Sequence, residues 1–478
     1  MISMTIAGEP VAGRDRLPVE DPALGRPFAD APVCTAADLD RAVAAAVGAY
    51  PDWAGRPEDQ RREHLLGCGA AIASAVDELA GLLTAEQGKP LRDARAEVRL
   101  AADWFRHTAA LTLPPERLVD EPASHATLHR VPVGPVAAIT PSNYPVILSV
   151  TKLAPALLAG NPVVLKPSPA TPLATLRMGQ LIAGALPPGV LNTISGDADL
   201  GPALAEHPQV RMISFTGSVR SGRAIAAGAA ARFQRVVLEL GGNDACVVLP
   251  GADIDRFAGE IFRLATVNAG QFCAAIKRVY VPAGHEPALT EALVAAAESV
   301  TVGDGREPGT QLGPLVSGAQ LAHVQELVAA AEAAGGRVAT GGRALPRPGH
   351  FYPPTVVTGL PGGTRLEIDE QFGPVIPVIG YADLDQVVAR ANSTEYGLGG
   401  SVWGDPADAR TVASRLDCGT VWINTHGELR HDLPFGGLRS SGVGVEYGYW
   451  GLLEYTRIKV VHSRERDRQP APAGRAAG

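Results

Sequence analysis

The sequence predicts an α/β protein built on parallel, doubly wound sheet, and three observations carry that prediction. Short apolar runs alternate with helical segments from Val133 to Leu240, the pattern of strands joined by crossover helices. The same alternation resumes after Ala245. At 478 residues, with 46% hydrophobic and 19% charged residues, the chain exceeds one hydrophobic core, so two or three domains are expected.

In chain order, Ala36 to Ala49, Glu58 to Gln87 and Asp93 to Leu111 carry apolar residues at three and four spacing and are expected as an N-terminal helical layer. Val136 to Ile139, Val163 to Leu165, Val190 to Thr193, Met212 to Phe215 and Val236 to Leu238 read as strands of a first sheet. Ala245 to Val248, Arg278 to Val281 and Val356 to Val357 read as strands of a second, with helices at Pro287 to Val300 and Gly318 to Ala334. Pro114 to Arg130 and Gly451 to His462 fit neither sheet. The tail from Arg464 is charged, then rich in Pro, Ala and Gly, and is expected to be disordered. No internal repeat is present.

Composition narrows the function classes. The net charge of −8 with scattered basic residues excludes nucleic acid and anionic membrane as expected partners. Cys34, Cys68, Cys246, Cys273 and Cys418 are odd in number and widely spaced, against a disulfide framework or a zinc site, and no metal is expected. A reducing cytoplasm fits best. Met1 to Pro18 lacks the apolar core of a signal peptide. The apolar Val136 to Leu158 stretch is interrupted by Pro141, Asn143, Pro145, Lys152 and Pro155, so no membrane span is expected.

Two segments carry the chemistry. Asn268-Ala-Gly-Gln-Phe-Cys-Ala-Ala-Ile-Lys-Arg278 sets one thiol among small and polar neighbours, and Gly270 and Gln271 are expected to leave its approach open. A thiolate attacks carbonyl carbon readily once its pKa is lowered. A lone cysteine is more often a small buried hydrophobe than a nucleophile. Upstream, however, Val236-Val-Leu-Glu-Leu-Gly-Gly-Asn243 ends an apolar run with a carboxylate and two glycines. Glu239 there can act as a base.

Further motifs follow the same order along the chain: Thr140-Pro-Ser-Asn-Tyr-Pro145, Gly160-Asn-Pro-Val-Val-Leu-Lys-Pro167, Phe215-Thr-Gly-Ser218, Glu370-Gln-Phe-Gly-Pro374 and Pro434-Phe-Gly-Gly437. Together with Glu239-Leu-Gly-Gly242 and Gly270-Gln-Phe-Cys273, 34 positions apart by nucleophile and base, they resemble the aldehyde dehydrogenase superfamily over nearly the whole chain. The resemblance implies a Rossmann-like cofactor domain (1–113 and 131–241), an α/β catalytic domain (242–450) and a small β-flap (114–130 and 451–463) that mediates oligomerisation, leaving 464–478 as the tail. It implies a homodimer or homotetramer acting on a small-molecule aldehyde.

Neither G-x-G-x-x-G nor a Walker loop is present, since Gly217-Ser-Val-Arg-Ser-Gly222 continues with Arg223 and Ala224. Gly217 and Ser218 nonetheless stand where a strand ends and a helix begins. That position suits a pyrophosphate, although an ordinary strand-to-helix turn looks the same locally. Lys166 closes a strand at the carboxyl edge of the sheet, and in the family this lysine meets the adenosine ribose. Three residues on, where NAD-preferring members carry glutamate, this chain has Pro169, which admits NADP; Asp197 and Asp199 oppose an added phosphate, and NAD is slightly favoured. Glu370 and Phe372 match residues beside the nicotinamide ribose and ring. Gln320, Leu240 and Ser142 complete the expected cofactor contacts.

By the same resemblance, Cys273 attacks the aldehyde, Asn143 and the Cys273 backbone N–H receive the oxyanion, and Glu239 activates water for thioester hydrolysis. Lys152 and Glu446 match positions tied to proton relay, with a structural ion pair as the plain alternative. The retained Glu239 favours a carboxylic acid product over a CoA-acylating reaction, and a noncatalytic protein on this scaffold is the remaining reading. The substrate mouth is expected at Tyr144, Thr151, Phe272, Leu429 and Phe435, suited to a medium-sized aliphatic or aromatic aldehyde. Arg430, in the polar loop Asn424 to Asp432, is either a clamp for a semialdehyde's carboxylate or a surface salt bridge.

Overall fold

The structure, a computed structural model, describes residues 2–464. Its first sheet has eight strands, in spatial order Gly442–Val443, Arg235–Glu239, Met212–Thr216, Val136–Ile139, Val163–Lys166, Leu191–Thr193, Met4–Ile6 and Glu9–Val11. The five from Arg235–Glu239 to Leu191–Thr193 are parallel, and the flanking strands run antiparallel. Strand residues alternate between faces, so Val136 and Ala138 enter one core while Ala137 and Ile139 enter the core on the opposite face. Both faces are covered by helices, as buried parallel sheet requires.

The second sheet has seven strands: Arg337–Thr340, Thr355–Thr358, Val375–Tyr381, Arg278–Pro282, Ala245–Val248, Gly399–Trp403 and Thr420–Ile423. All its pairings are parallel except that of the Arg337–Thr340 edge. Ala245 and Val247 face one core, Cys246 and Val248 the other. A third, antiparallel sheet joins Glu116–Glu121, Ser124–Pro132 and Thr456–Arg464. The expected flap is therefore a real sheet, but residues Gly451 to Glu454 belong to the helix Gly448–Glu454 that precedes its last strand. Arg464 ends that strand rather than opening a tail, and the expected tail from 465 onward lies outside the described residues.

Three further expectations need correction. Glu58 to Gln87 is two helices, Glu58–Ala73 and Val76–Gln87, bent by 68°. The Ser74 hydroxyl donates to the Ala71 carbonyl at 2.8 Å, and Ala75 leaves helical backbone. The first helix runs Ala36–Gly55, through Pro51, because Trp53 beyond it is buried and donates to the Leu157 carbonyl at 3.1 Å. The four strands before Thr35 were not expected; Arg16–Asp21 and Arg26–Pro32 form a separate ribbon whose polar, exposed residues carry little apolar alternation. No single helix among the described residues is long and apolar enough to cross a membrane.

Candidate active site

Parallel strands aim their carboxyl ends at one edge of a sheet, where ligands of open α/β folds bind. At that edge of the first sheet stand Asn143, just after Val136–Ile139, Lys166 at the end of its strand, Gly217 and Ser218 after Met212–Thr216, and Glu239 closing Arg235–Glu239. Glu239 pairs in register with Thr216, and its carbonyl accepts from the Gly217 N–H at 3.1 Å.

Cys273 reaches this edge from the other side. Between the helix Ile254–Thr266 and the strand Arg278–Pro282 the backbone takes three consecutive left-handed residues: Asn268 (φ 50°), Ala269 (φ 56°) and Gly270 (φ 71°). Such conformations are costly for non-glycine residues and persist only where surroundings impose them. Position 270 admits no side chain, because a Cβ would lie 2.1 Å from the Gly373 carbonyl oxygen. Gln271 is not an open neighbour of the thiol, as had been expected. It is buried, its amide donates to the Asn268 and Pro314 carbonyls at 3.1 and 3.4 Å, and its oxygen accepts from the Val316 N–H at 2.8 Å.

The thiol is not acidified by its surroundings. Burial pushes Cys273 above the ordinary thiol value, and Glu370, Glu239 and Asp244 push it further; Lys277 alone opposes them. The site therefore holds a neutral thiol that needs a proton acceptor.

Glu239 is placed to be one. Both of its carboxylate oxygens are buried without a hydrogen-bond partner. Burial raises its pKa well above the usual carboxylate range, Glu446 raises it further, and Lys152 draws it back. Lys152, on the helix Pro145–Leu158, forms a close, fully buried ion pair with Glu446. One Glu446 oxygen stays unpaired.

Asn143 is held from three sides. Its Nδ2 donates to the Gln271 carbonyl at 3.1 Å, and its own carbonyl accepts from Lys89 Nζ at 2.8 Å and Asn268 Nδ2 at 3.1 Å. Each amide nitrogen has two N–H groups, so the second is left to face a ligand.

A cleft of about 700 Å³ runs along this edge. Lys166, Ser168, Pro169, Gly201, Pro202, Ala224 and Ile225 line it, together with Ser142, Asn143, Leu240, Gln320, Glu370, Phe372 and Cys273. Ser218 caps the helix Val219–Ala230, accepting from the Ser221 N–H at 3.3 Å. The first-turn N–H groups of a helix lack partners inside it, so this end suits a diphosphate. Gly201 has open space where a Cβ would be. Lys166 is buried and lowered to about 8 by burial, with Asp197 opposing. Glu370 is raised to about 7 by burial, against Lys277 and the Gly242 N–H, which donates to it at 3.3 Å. The cleft's volume, the buried Lys166 and the helix N-terminus after Ser218 fit a nicotinamide dinucleotide.

The family model described as the aldehyde dehydrogenase family matches residues 10–461. The chain belongs to that family. A geranial dehydrogenase from Castellaniella defragrans is 38% identical over 90% of this chain and 92% of its own. Betaine aldehyde dehydrogenase from Staphylococcus aureus, solved in complex with NAD+, superposes with a TM-score of 0.94 at 30% identity, covering 97% of each chain. A structure described as an NADP dependent enzyme from E. coli gives 0.94 at 33% identity, over 97% and 98%. This aldehyde dehydrogenase is thus an oxidoreductase that converts an aldehyde to a carboxylic acid with NAD or NADP.

The expected mouth of the aldehyde dehydrogenase is only partly assembled. Tyr144, Phe272 and Leu429 pack with Cys273 in one apolar cluster, Tyr144 and Phe272 edge to face at 5.6 Å. Phe435 is buried, stacked on Tyr447 at 5.9 Å, and Thr151 is buried with its hydroxyl on the Leu148 carbonyl at 3.2 Å, so neither forms a free wall. Arg430 is exposed and forks onto Asp432 at 2.9 and 2.7 Å. Gln320 donates to the Gln371 and Phe372 carbonyls, fixing the turn that carries Phe372 (φ 45°). Reasoning on sequence missed Lys89, Glu97 and Lys277, all buried. Lys277 was visible as a lysine inside the motif itself; Glu97 carried no signal beyond lying on a helix, and Lys89 none beyond the turn between the helices Val76–Gln87 and Leu91–Ala109.

Proposed function

We propose that Cys273 is the nucleophile, Glu239 its base, and the Asn143 side chain with the Cys273 N–H the oxyanion donors. Supporting this most directly is one observation: both Glu239 carboxylate oxygens are buried without a hydrogen-bond partner, and that carboxyl acts electrostatically on the Cys273 thiol. Glu239 takes the Sγ proton, the thiolate attacks the aldehyde carbon, and the resulting alkoxide is met by donors already fixed in place. Lys166, the first turn after Ser218, Glu370 and Phe372 would hold the cofactor, which supplies the hydride acceptor. Loss of hydride to that acceptor leaves a thioester; Glu239, having released the first proton to solvent, then takes a proton from the water that attacks it, so that the acid product leaves and the thiolate is freed, while Lys152 and Glu446 set the charge on Glu239.

For substrate, a medium-sized apolar aldehyde suits Tyr144, Phe272 and Leu429, in line with the geranial-oxidising relative. A semialdehyde clamp at Arg430 loses support from the Asp432 pair. We further assign 1–113 with 131–241 to cofactor binding and 242–450 to catalysis. The three-stranded sheet, with exposed Ile458, Val460 and Val461, would join subunits of a homodimer or homotetramer, and five free thiols suit the cytoplasm. The test is nicotinamide reduction, followed by absorbance with NAD and NADP across aliphatic, aromatic and carboxylated aldehydes, using Cys273→Ala as control. Turnover abolished in the mutant supports the assignment; undiminished turnover in the mutant removes it.

A further inference from the structure

Lys277 has no part in the chemistry above, yet its side chain is fully buried beside the thiol. Among the described residues its one hydrogen bond goes from Nζ to the Gly270 carbonyl at 2.8 Å, and its ammonium stands 5.1 Å from the centre of the Phe372 ring. Gly270 ends the run of three left-handed residues that delivers Cys273, and Phe372 lines the cofactor cleft. One ammonium thus ties the thiol's turn to the cleft wall.

Charge gives the placement a second meaning. The acids facing the thiol are Glu370, Glu239 and Asp244, and all three resist a second negative charge there. Tyr144 and Tyr447 also face it and remain neutral phenols, pushed up by burial. His426 lies 3.4 Å from Asp244 on its far side. Lys277 is the cation that lowers the cost of a thiolate; burial lowers its own pKa, and Glu370, Asp244 and Cys273 oppose that shift.

We propose that Lys277 is a positioning residue for Cys273 that works in two ways: it clamps the left-handed turn through Gly270, and it supplies the counter-charge to the thiolate. The inference rests on Cys273 as the reacting thiol. When that thiol loses its proton, Lys277 is the positive group left facing the sulfur. A neutral residue of similar length would leave the thiolate among acids only.

The experiment reads the thiol without turnover or cofactor. Iodoacetamide alkylates the thiolate, sulfur bonding to the methylene carbon as iodide departs, and peptide mass spectrometry separates Cys273 from the other four cysteines. Lys277→Met removes clamp and charge, Lys277→Gln keeps a donor for Gly270 but no charge, and Lys277→Arg keeps charge. Met and Gln are expected to move the alkylation midpoint up by at least about one pH unit, a roughly tenfold slower reaction at neutral pH, while Arg stays close to wild type. Wild-type profiles in Met and Gln, or an Arg variant displaced as far as Met, overturn the proposal. Glu370→Gln gives a check that leaves position 277 intact: freeing the ammonium from a competing acid lowers the midpoint, and an unmoved midpoint counts against the counter-charge. Should Cys273 not be the nucleophile, Cys273→Ala would retain turnover whatever the midpoints do.

Discussion

Lys89 donates to the backbone carbonyl of Asn143 at 2.8 Å while paired with Glu97 at 2.5 Å and standing 3.7 Å over the Tyr144 ring. Glu97 in turn accepts from the Val146 and Ile147 N–H groups, capping the helix that follows Asn143. Lys89 therefore holds the backbone of Asn143, the proposed oxyanion donor. Lys89→Met is expected to lower kcat by about 10²-fold with little change in cofactor affinity. It leaves Glu97 buried without its cation, costing about 3–5 kcal/mol of stability. Steady-state kinetics and thermal melting check both, and Lys89→Met with Glu97→Gln should recover stability but not kcat.

Asn143→Ala removes the oxyanion amide directly, and its expected loss is about 10²–10³-fold in kcat. Glu239→Gln takes the base from both steps assigned to it. It should abolish the initial burst of reduced nicotinamide at neutral pH, because the thiol stays protonated; the burst should return at alkaline pH, where solvent takes the Sγ proton, with slow turnover after it because thioester hydrolysis still lacks its base. Rapid-mixing absorbance distinguishes the two.

The pH dependence follows from Glu239. Burial first, then Glu446, lifts its carboxyl well above the usual range. A base works when unprotonated, so activity is lost as pH falls through the raised value and grows toward alkaline pH. Lys152 is the group that lowers it, so Lys152→Met should move the acid limb of the kcat profile to higher pH. A limb that stays put would show that Lys152 does not set this charge.

The positions proposed as catalytic and cofactor-binding can be picked out in the sequence because they follow the carboxyl ends of strands with clear apolar runs, as at Ile139, Thr216 and Glu239. What escaped was long-range. Nothing local ties Lys89 to Asn143 or Lys277 to the Phe372 ring, since each pair is joined only by folding. The acidity of the Cys273 thiol is not readable locally for the same reason: it depends on burial and on three acids brought from distant segments. Asn268 and Ala269, non-glycine residues in left-handed backbone, also carry no sequence signal.

Cofactor choice turns on Pro169, which lines the cleft near Lys166 and Ser168. With no carboxylate there to repel a 2′-phosphate, NADP and NAD should bind within about tenfold of each other. Pro169→Glu introduces that carboxylate and should weaken NADP by at least about tenfold while sparing NAD. Titration of cofactor binding by protein fluorescence reads this without turnover.

Arg430 offers the sharpest test of substrate class. Its guanidinium already satisfies a carboxylate, forking onto Asp432 two residues away on an exposed loop. That contact raises Arg430 and lowers Asp432 to about 2, so the two stay ionised together across the working pH range. A substrate carboxylate would have to displace Asp432 in solvent, where exchanging one exposed ion pair for another gains little. Arg430→Ala is therefore expected to change kcat/KM by less than about threefold for both a carboxylated semialdehyde and an uncharged aldehyde of equal length. A selective loss of tenfold or more on the semialdehyde alone would mean that Arg430 leaves Asp432 to bind substrate, and would move this enzyme from apolar aldehydes to semialdehyde acids.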